Sequence, residues 1–582
     1  MTKKPFAALP FRFPRIFHLL LALAVLLELI IPFTTKTYGV DGHLQVNMID
    51  QFTHLVSEGV LIPCWVPDGF HGFGATTFYF YPPVMLYLAT FFKILIGQAD
   101  PFTLYQMSGL AATIGSFFSA RILLKSIGSE KYQINMGALL YAFAPFRLAD
   151  LYGRSNLATH VAYVFIPLVW YGLIEIVRKN DSRRVERIVP LGISCALLAL
   201  TNIPAVLATA VCIAIAALVV RKYLTMQATI DASIAALIGV GLCAYHFFSA
   251  ISLGPYSHLS DLDGGDPQFI LLHLFIQTSI PALYYIILLY AAIAIIAFAY
   301  WRSRKSRDNK MNNTERIVVQ VGFAIVALTI YLETPYVSLP AWRYLPIFKL
   351  IQFGWRFYSH FVLFVAVLVG VAYSNPMRRA AKSALWVWIL GALCPATLLV
   401  LSLHIFPHTS RPLEDPLEYR PVYSAPSDDF VNQLPGKKVN FIPVIEEMTR
   451  VYQPHRMDPP AVAEFEDGEK IARVIAKPYF EEYDVNLHGR RKVTFHRFWW
   501  PTWHLYINNH EIISQPDSIG RAATMLPEGD YTIKWQLEKT PLELAGLWIS
   551  EMTLCGIALA YMVVFFQRYR RGRIRKDIST NI

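Results

Sequence analysis

Residues 203–220 read IPAVLATAVCIAIAALVV, eighteen positions without a charge, and Arg221-Lys222 close the run. At 1.5 Å per residue this makes a helix of about 27 Å, close to the roughly 30 Å hydrocarbon core of a bilayer. A helix that is apolar all round has no face to offer water, so it belongs in lipid or among other such helices. The basic pair at its end marks a cytoplasmic border under the positive-inside rule.

The pattern repeats in both directions. Toward the N-terminus lie apolar runs at Ile16–Phe33, Tyr79–Ile96, Leu104–Leu124, Ile134–Ala149, Leu157–Val177 and Ile188–Leu200. Toward the C-terminus follow Ile230–Ala250, Ile280–Trp301, Ile317–Leu332, Phe353–Tyr373, Ala384–Leu403 and Leu544–Phe566. The fold class predicted is a polytopic α-helical membrane protein with about 12–14 membrane helices. Composition agrees: of 582 residues, 55% are hydrophobic and only 16% charged, with mean hydropathy +0.39, whereas soluble domains carry about a quarter charged residues. The first run follows a basic N-terminus, but Thr34-Thr35-Lys36 offers no small-residue cleavage site, so it reads as a retained span.

The net charge of +11 is not a nucleic-acid signature. The basic residues gather in short segments between spans: Lys3 to Arg15, Arg178 to Arg187, Arg302 to Arg316, Arg378 to Lys382 and Arg568 to Lys576. These are cytoplasmic borders. Five cysteines (Cys195, Cys212, Cys243, Cys394, Cys555) lie in apolar runs and Cys64 in a polar loop, with no CxxC pair, which argues against disulfide or zinc chemistry. Walker A, HExxH and GxSxG motifs are absent, and Gly239-Val240-Gly241 reads as helix packing.

Charge bias places segments 178–187, 221–222 and 302–316 inside, and 34–78, 150–156, 251–278, 334–352 and 405–541 outside. Parity fails only between residues 34 and 104: either Tyr79–Ile96 does not cross, or a charge-poor loop breaks the rule. Residues 44–58 set Met48, Phe52, Leu55 and Val56 opposite Gln45, Asn47, Gln51, His54 and Glu58, an amphipathic helix expected along the membrane surface. Three compartments result: a multi-span domain over 1–404 with its outer loop 34–78, an extracytoplasmic β-rich module over 405–541, and a last span with a basic tail over 542–582. In the module, Lys470–Ala476, Tyr483–His488, Lys492–Arg497, His504–Ile507 and Tyr531–Gln536 read as strands of a β-sandwich. Its Trp499, Trp500, Trp503 and Trp535 read either as core or as a face on which carbohydrate stacks.

Ionisable groups at membrane borders are costly and tend to carry function, although structural pairing explains them too. On the outer side these are Asp41, His43, Asp150, Arg154, Arg343 and Arg356. Arginine forks bind phosphate oxygens and a carboxylate accepts a proton, so the set suits a lipid phosphate beside a hydroxyl to be activated. Asp41 also stands where it can cap the helix that follows.

Several short motifs occur in a set order. They are Asp41-Gly42-His43, then Gly72-Phe73-Gly74 leading to Phe78-Tyr79-Phe80-Tyr81-Pro82-Pro83, then Ala144-Pro145-Phe146-Arg147-Leu148-Ala149-Asp150-Leu151-Tyr152-Gly153-Arg154 with Ile166-Pro167-Leu168. Ile351-Gln352-Phe353-Gly354-Trp355-Arg356-Phe357, Trp503 and Leu526-Pro527-Glu528-Gly529 complete the series. Along nearly the whole chain this order resembles the GT-C class of membrane glycosyltransferases. It is most similar to the bacterial membrane family labelled "6-pyruvoyl-tetrahydropterin synthase-related", a label that implies no pterin chemistry here. The resemblance implies a polyprenyl-phosphate-linked sugar donor and a glycan, lipid or protein acceptor, used on the outer face of a bacterial inner membrane. It makes Asp41 the catalytic base and His43, Tyr81, Asp150, Arg154, Arg343 and Arg356 substrate-binding. It names no required cofactor and leaves room for a divalent cation. Two departures stand out. Gly354 replaces the proline of Gln-Phe-Pro-Trp-Arg, and Ser155-Asn156-Leu157-Ala158-Thr159-His160 lacks the acid on which a metal role at that loop would rest. The rival expectations are a transporter or flippase for lipid-linked sugars, and a non-catalytic protein of envelope assembly.

Overall fold

The structure is a computed structural model. It describes residues 37–38, 42–67, 69, 73–97, 99–128, 131–152, 154–178, 184–257, 313–333, 337–372, 411–412, 463–465, 470–471, 473–517 and 520–580. The expected spans Ile16–Phe33, Ile280–Trp301 and Ala384–Leu403 lie outside the described residues, as does Asp41.

The helices run α1 Gly42–Ser57, α2 Val84–Ile96, α3 Pro101–Ile127, α4 Lys131–Ala142, α5 Pro145–Tyr152, α6 Leu157–Val177 and α7 Arg184–Ala199. They continue as α8 Ile203–Val220, α9 Met226–Leu253, α10 Asn313–Glu333, α11 Leu339–Tyr344, α12 Pro346–Ile351, α13 Tyr358–Ala372 and α14 Pro541–Thr580. Among the described residues, six (α3, α6, α8, α9, α10 and α14) are long and apolar enough to cross a bilayer, and the chain is a multi-pass membrane protein. The run that opened the sequence reading is α8, from Ile203 to Val220 as expected, with Asn202 capping it by accepting from Ala205 N at 2.9 Å.

Contacts between helix ends sort the bundle into two rims. Tyr105 near the start of α3 donates to Leu151 O at 3.3 Å, whereas Arg178 at the end of α6 reaches Ser126 O near the end of α3. On the second rim Arg184 pairs with buried Asp231 of α9 at 2.7 Å, and Arg568 of α14 pairs with Glu186 of α7. Two of the segments read from charge as cytoplasmic, 178–187 and the start of 568–576, thus meet on one rim.

The parity conflict resolves on the other. Between the single helical turn Thr77–Phe80 and α2 the chain breaks at Pro82-Pro83, and α2 has 13 residues, about 20 Å at 1.5 Å each, short of a bilayer. Lys93 near its end donates to Thr53 of α1 at 3.1 Å, so α2 stays beside α1 and does not cross. Two further expectations are corrected. The run Ile134–Ala149 is split at Pro145 into α4 and α5, because proline lacks the N–H and biases the residue before it away from helix. The apolar face of α1 is buried in protein rather than lipid: Met48, Ile49, Phe52 and Leu55 are core, with Phe52 edge-on to Phe78 and Tyr87 at 5.1 and 5.0 Å. Gln45, read as part of the polar face, is buried too.

Thr37–Tyr38 (β1) pairs with Arg411–Pro412 (β2). The module is a sandwich of two antiparallel five-stranded sheets, ordered β10-β11-β7-β3-β4 and β5-β6-β12-β8-β9. Its strands are β3 Ala463–Phe465, β4 Lys470–Ile471, β5 Arg473–Lys477, β6 Phe480–Leu487, β7 Arg491–Phe498, β8 Trp503–Ile507, β9 His510–Ile512, β10 Gln515–Pro516, β11 Arg521–Leu526 and β12 Gly529–Leu537. The expected strand Lys470–Ala476 is therefore two, one in each sheet. Alternation in β6 and β8 buries Tyr483, Val485, Leu487, Trp503, Leu505 and Ile507, and Phe495 meets Trp535 edge-on across the sandwich at 5.0 Å. Asn508 and Asn509, at φ 50° and 66°, make the two-residue turn between β8 and β9, where both central residues need the left-handed region.

Candidate active site

Three of the module's four tryptophans are core rather than a free sugar-stacking face, and Trp499 is half-buried. Trp500, Trp503 and Trp535 are buried; Trp65 from the outer loop meets Trp500 at 6.5 Å and Trp503 at 5.9 Å. Polar contacts fasten the same seam. The Tyr479 hydroxyl accepts from Cys64 N at 2.8 Å and donates to Trp65 O at 3.2 Å, and the Tyr79 and Thr502 hydroxyls are 2.9 Å apart. Phe498 N donates to Phe73 O at 2.8 Å. Gly74 sits at φ +89° with the Trp65 indole over it, so that a Cβ there would overlap the ring. Phe73 and Gly74 of the glycine motif thus belong to the platform on which the module docks. Burial pushes the Cys64 thiol up against the opposing pull of the Lys539 charge, in line with inert cysteines.

The charged cluster lies on the same rim, the one read from charge as outer, where α5 turns into α6. Asp150 is buried and takes Arg154 Nη1 on its Oδ1 at 3.1 Å. The loop closes with Asn156 N donating to Asp150 O at 3.1 Å, which leaves Ser155 at φ 59°. Such backbone persists only where its surroundings over-determine it. Arg154 is thereby held from two sides: by Asp150 in its plane, and by the Trp355 ring beneath it at 4.8 Å. Its side chain keeps 36% exposure, enough to meet a ligand.

Trp355 links this loop to Arg356. In the 3₁₀ turn Gly354–Phe357, between α12 and α13, the Phe353 and Trp355 rings stack at 4.1 Å and 8°. Arg356 lies over Phe353 at 5.1 Å and donates to Ile351 O at 2.6 Å and Gln352 Oε1 at 3.1 Å. Gln352 is held at φ 65°, so both arginine-bearing loops contain a left-handed non-glycine residue. The order of contacts is Arg154, Trp355, Phe353, Arg356, and the charges of Arg154 and Asp150 act on the Arg356 guanidinium.

The start of α1 reaches the same loop. Gln45 Oε1, in the first turn of α1, accepts from Leu157 N at 2.8 Å, three residues from Arg154. His43 is exposed on that turn, and Asp41, outside the described residues, precedes it directly in sequence. Tyr81 follows the turn Thr77–Phe80 that packs on α9, and Arg343 is exposed in the last turn of α11. The structure therefore gathers Asp150, Arg154 and Arg356 and brings the α1 turn carrying His43 to their loop.

The sequence reading missed a layer beneath the cluster. Arg147, one turn before Asp150, is fully buried; it donates to Ala142 O at 2.7 Å and to His160 Nε2 at 3.0 Å, and lies over Tyr163 at 5.0 Å. Because a guanidinium only donates, Nε2 is the acceptor and His160 carries its proton on Nδ1. The available signal was an arginine in the apolar stretch Ala144–Leu151, three residues before an acid. Among the described residues no three His, Cys, Asp or Glu side chains converge to hold a metal.

No family model matches the chain, and no curated protein matches it. Solved structures overlap it at low identity. The arabinofuranosyltransferase AftD from Mycobacteria aligns with 71% of this chain and 28% of its own, at 14% identity and TM-score 0.42. The archaeal oligosaccharyltransferase AglB from Archaeoglobus fulgidus, in complex with an inhibitory peptide and a dolichol-phosphate, aligns with 67% of this chain and 56% of its own, at 13% identity and TM-score 0.34. The chain thus spans under two thirds of the length of either. Both are by name sugar-transferring enzymes, while the finer family suggested by the motifs is not among these neighbours. Overlaps this loose decide neither activity nor substrate, which rest on the chain's own residues.

Proposed function

We propose that the chain is a membrane glycosyltransferase that moves a sugar from a polyprenyl-phosphate carrier to a glycan, lipid or protein acceptor at the outer rim, on the periplasmic or external side of a bacterial inner membrane. One observation carries this reading. Arg356 is half-buried at the membrane border, and among the described residues its bonded and ring partners are a backbone carbonyl, a side-chain amide and a phenyl ring, all neutral. A guanidinium kept there without a bonded carboxylate is costly, and a bound anion offsets that cost. With Arg154 reached through two stacked rings, the pair presents forked donors for a phosphate. Asp150 orients Arg154 and lowers the local excess of positive charge, which suits a singly charged phosphodiester.

In this reading the carrier phosphate lies against Arg154 and Arg356. Asp41 takes the proton of the acceptor hydroxyl as that oxygen attacks the anomeric carbon, and the bond from that carbon to the phosphate oxygen breaks. The arginines hold the charge that develops on the departing phosphate. Support for Asp41 is its position just ahead of the turn that Gln45 ties to Leu157. The β-sandwich, docked through Trp65 and Tyr479, covers the outer loop and limits which acceptors reach the rim. No step is routed through a metal.

The test is sugar transfer by the purified protein in proteoliposomes, from its cells' lipid-linked pool to envelope acceptors, for wild type and Asp41→Asn. Transfer by the wild type that Asp41→Asn removes supports the enzyme. Carrier movement between leaflets that survives in Asp41→Asn, with no transfer by either protein, selects a flippase, which needs the arginines and no base.

A further inference from the structure

Strand register brings one edge of the sandwich down to the membrane border. In β12, Leu537 lies opposite Trp503, and four residues later Pro541 opens the membrane helix α14. At the same level Thr540 Oγ1 meets Ser252 Oγ of α9 at 3.1 Å, near the outer end of that span. β9 pairs with β8 so that Ile512 faces Leu505, two residues from Trp503, and Ile513 and Ser514 follow directly. The Ser514 carbonyl accepts from Trp499 Nε1 at 3.1 Å, and the Trp499 ring packs at 6.1 Å on Tyr256, where the α9 span ends. Two independent routes, the β8–β12 register and the Ser514–Trp499–Tyr256 contacts, thus put Ile513 at the depth where membrane helices meet water.

Ile513 is 88% exposed among the described residues and follows Ile512, itself 37% exposed, on the edge strand of its sheet. Nearby at the same level, Ile251 of α9 and Leu542 of α14 are also exposed. An edge strand that ends in two bare isoleucines is a liability in water. At a bilayer border the same pair finds an apolar environment, and Trp499 and Tyr256 behind it are the residue types that populate that border.

We infer that Ile512–Ile513 is a membrane anchor: the tip following β9 inserts into the outer leaflet at the boundary of headgroups and acyl chains, tying the free edge of the sandwich to the bilayer that α14 spans. The module is then held at two points of one surface. Its rotation about the Leu537–Pro541 connection is blocked independently of the Trp65 seam. The inference does not depend on the proposed glycosyl transfer.

The test uses the full chain in proteoliposomes of phosphatidylethanolamine and phosphatidylglycerol, with Cys394 and Cys555 replaced by serine. A nitroxide is attached at Ile513→Cys and, as a control, at Asn509→Cys on the hairpin tip. Relaxation by oxygen, which concentrates in lipid, is compared with relaxation by a water-soluble nickel chelate. The anchor requires a several-fold higher oxygen-to-nickel ratio at 513 than at 509. Equal ratios put Ile513 in water and overturn the inference. Protection from both reagents puts it under protein, from this chain or a second copy, and overturns it as well. Should the labelled protein fold poorly, Ile513→Trp gives the same reading: brominated lipids must quench its emission beyond the wild-type level, and no added quenching sinks the anchor.

Discussion

Replacing Arg356 tests the phosphate clamp most directly. The guanidinium has five N–H donors, two of which serve Ile351 O and Gln352 Oε1, and the other three meet no acceptor among the described residues. Two charge-assisted bonds to one phosphate are worth about 1.5–3 kcal/mol each, or about 3–6 kcal/mol gross. The site is half-open to solvent and Arg154 remains, which discounts the loss to about 2–3 kcal/mol, or about 30- to 150-fold in affinity. Lysine keeps the charge but loses the fork and the stacking on Phe353, so Arg356→Lys should recover about a tenth of the wild-type affinity. Binding of a short-chain polyprenyl phosphate to protein in lipid nanodiscs, measured by calorimetry for wild type, both variants and Arg154→Ala, reads this out. The double variant should lose less than the sum of the two single losses, because one ligand group serves both forks. Affinity for Arg356→Ala within twofold of wild type, with the fold intact, refutes the clamp.

Asp41→Asn should leave the protein folded and inserted while transfer falls about 10²- to 10⁴-fold, because an amide caps a helix but takes no proton; transfer near the wild-type rate reduces Asp41 to a cap. Gly74→Ala should cost about 2–4 kcal/mol in thermal unfolding, from left-handed strain plus overlap with Trp65, whereas Gly59→Ala, also left-handed but with open space at its Cβ, should cost only about 1 kcal/mol. For topology, a cysteine at Ala99 and a reporter at about residue 470 should report the same side, and a reporter at about residue 308 the opposite one. Cytoplasmic labelling of Ala99→Cys would mean that α2 crosses after all.

Long periodic features were legible in the sequence. α8 needed only its own composition, and α6 falls on its expected bounds, because one apolar run and one polar border decide each; α14 contains the expected span Leu544–Phe566 but runs on as helix through the basic tail to Thr580. Features set by partners were not. The run Tyr79–Ile96 is apolar enough for a span, but only Pro82-Pro83 and the packing of α2 on α1 keep it at the rim. Lys470–Ala476 has one alternating pattern yet feeds two sheets, since alternation fixes the face of a strand and not its neighbour. The four tryptophans allowed two readings because nothing local to 499–535 announces that Trp65 will meet Trp500 and Trp503 or that Trp535 faces Phe495 across the sandwich. At the site, residue type and border position picked out Asp150, Arg154 and Arg356 from charge alone. The Phe353–Trp355 stack that joins the arginines depends on a turn geometry that no pattern of polarity encodes. Asn508-Asn509 was readable and overlooked, since asparagine tolerates the left-handed backbone such a turn requires.

The seam between the outer loop and the sandwich also imposes a timetable on biogenesis. Tyr479 lies 415 positions after Cys64, and Thr502 lies 423 after Tyr79. A ribosome adding about 5–20 residues per second needs about 20–80 s between making one side of the seam and the other. Through that interval the Trp65 platform stands on the far side of the membrane without its cover, while most of the bundle is already inserted. The nascent chain is therefore most open to proteolysis before β12, the last strand of the sandwich, is made, and only the completed sandwich closes that window.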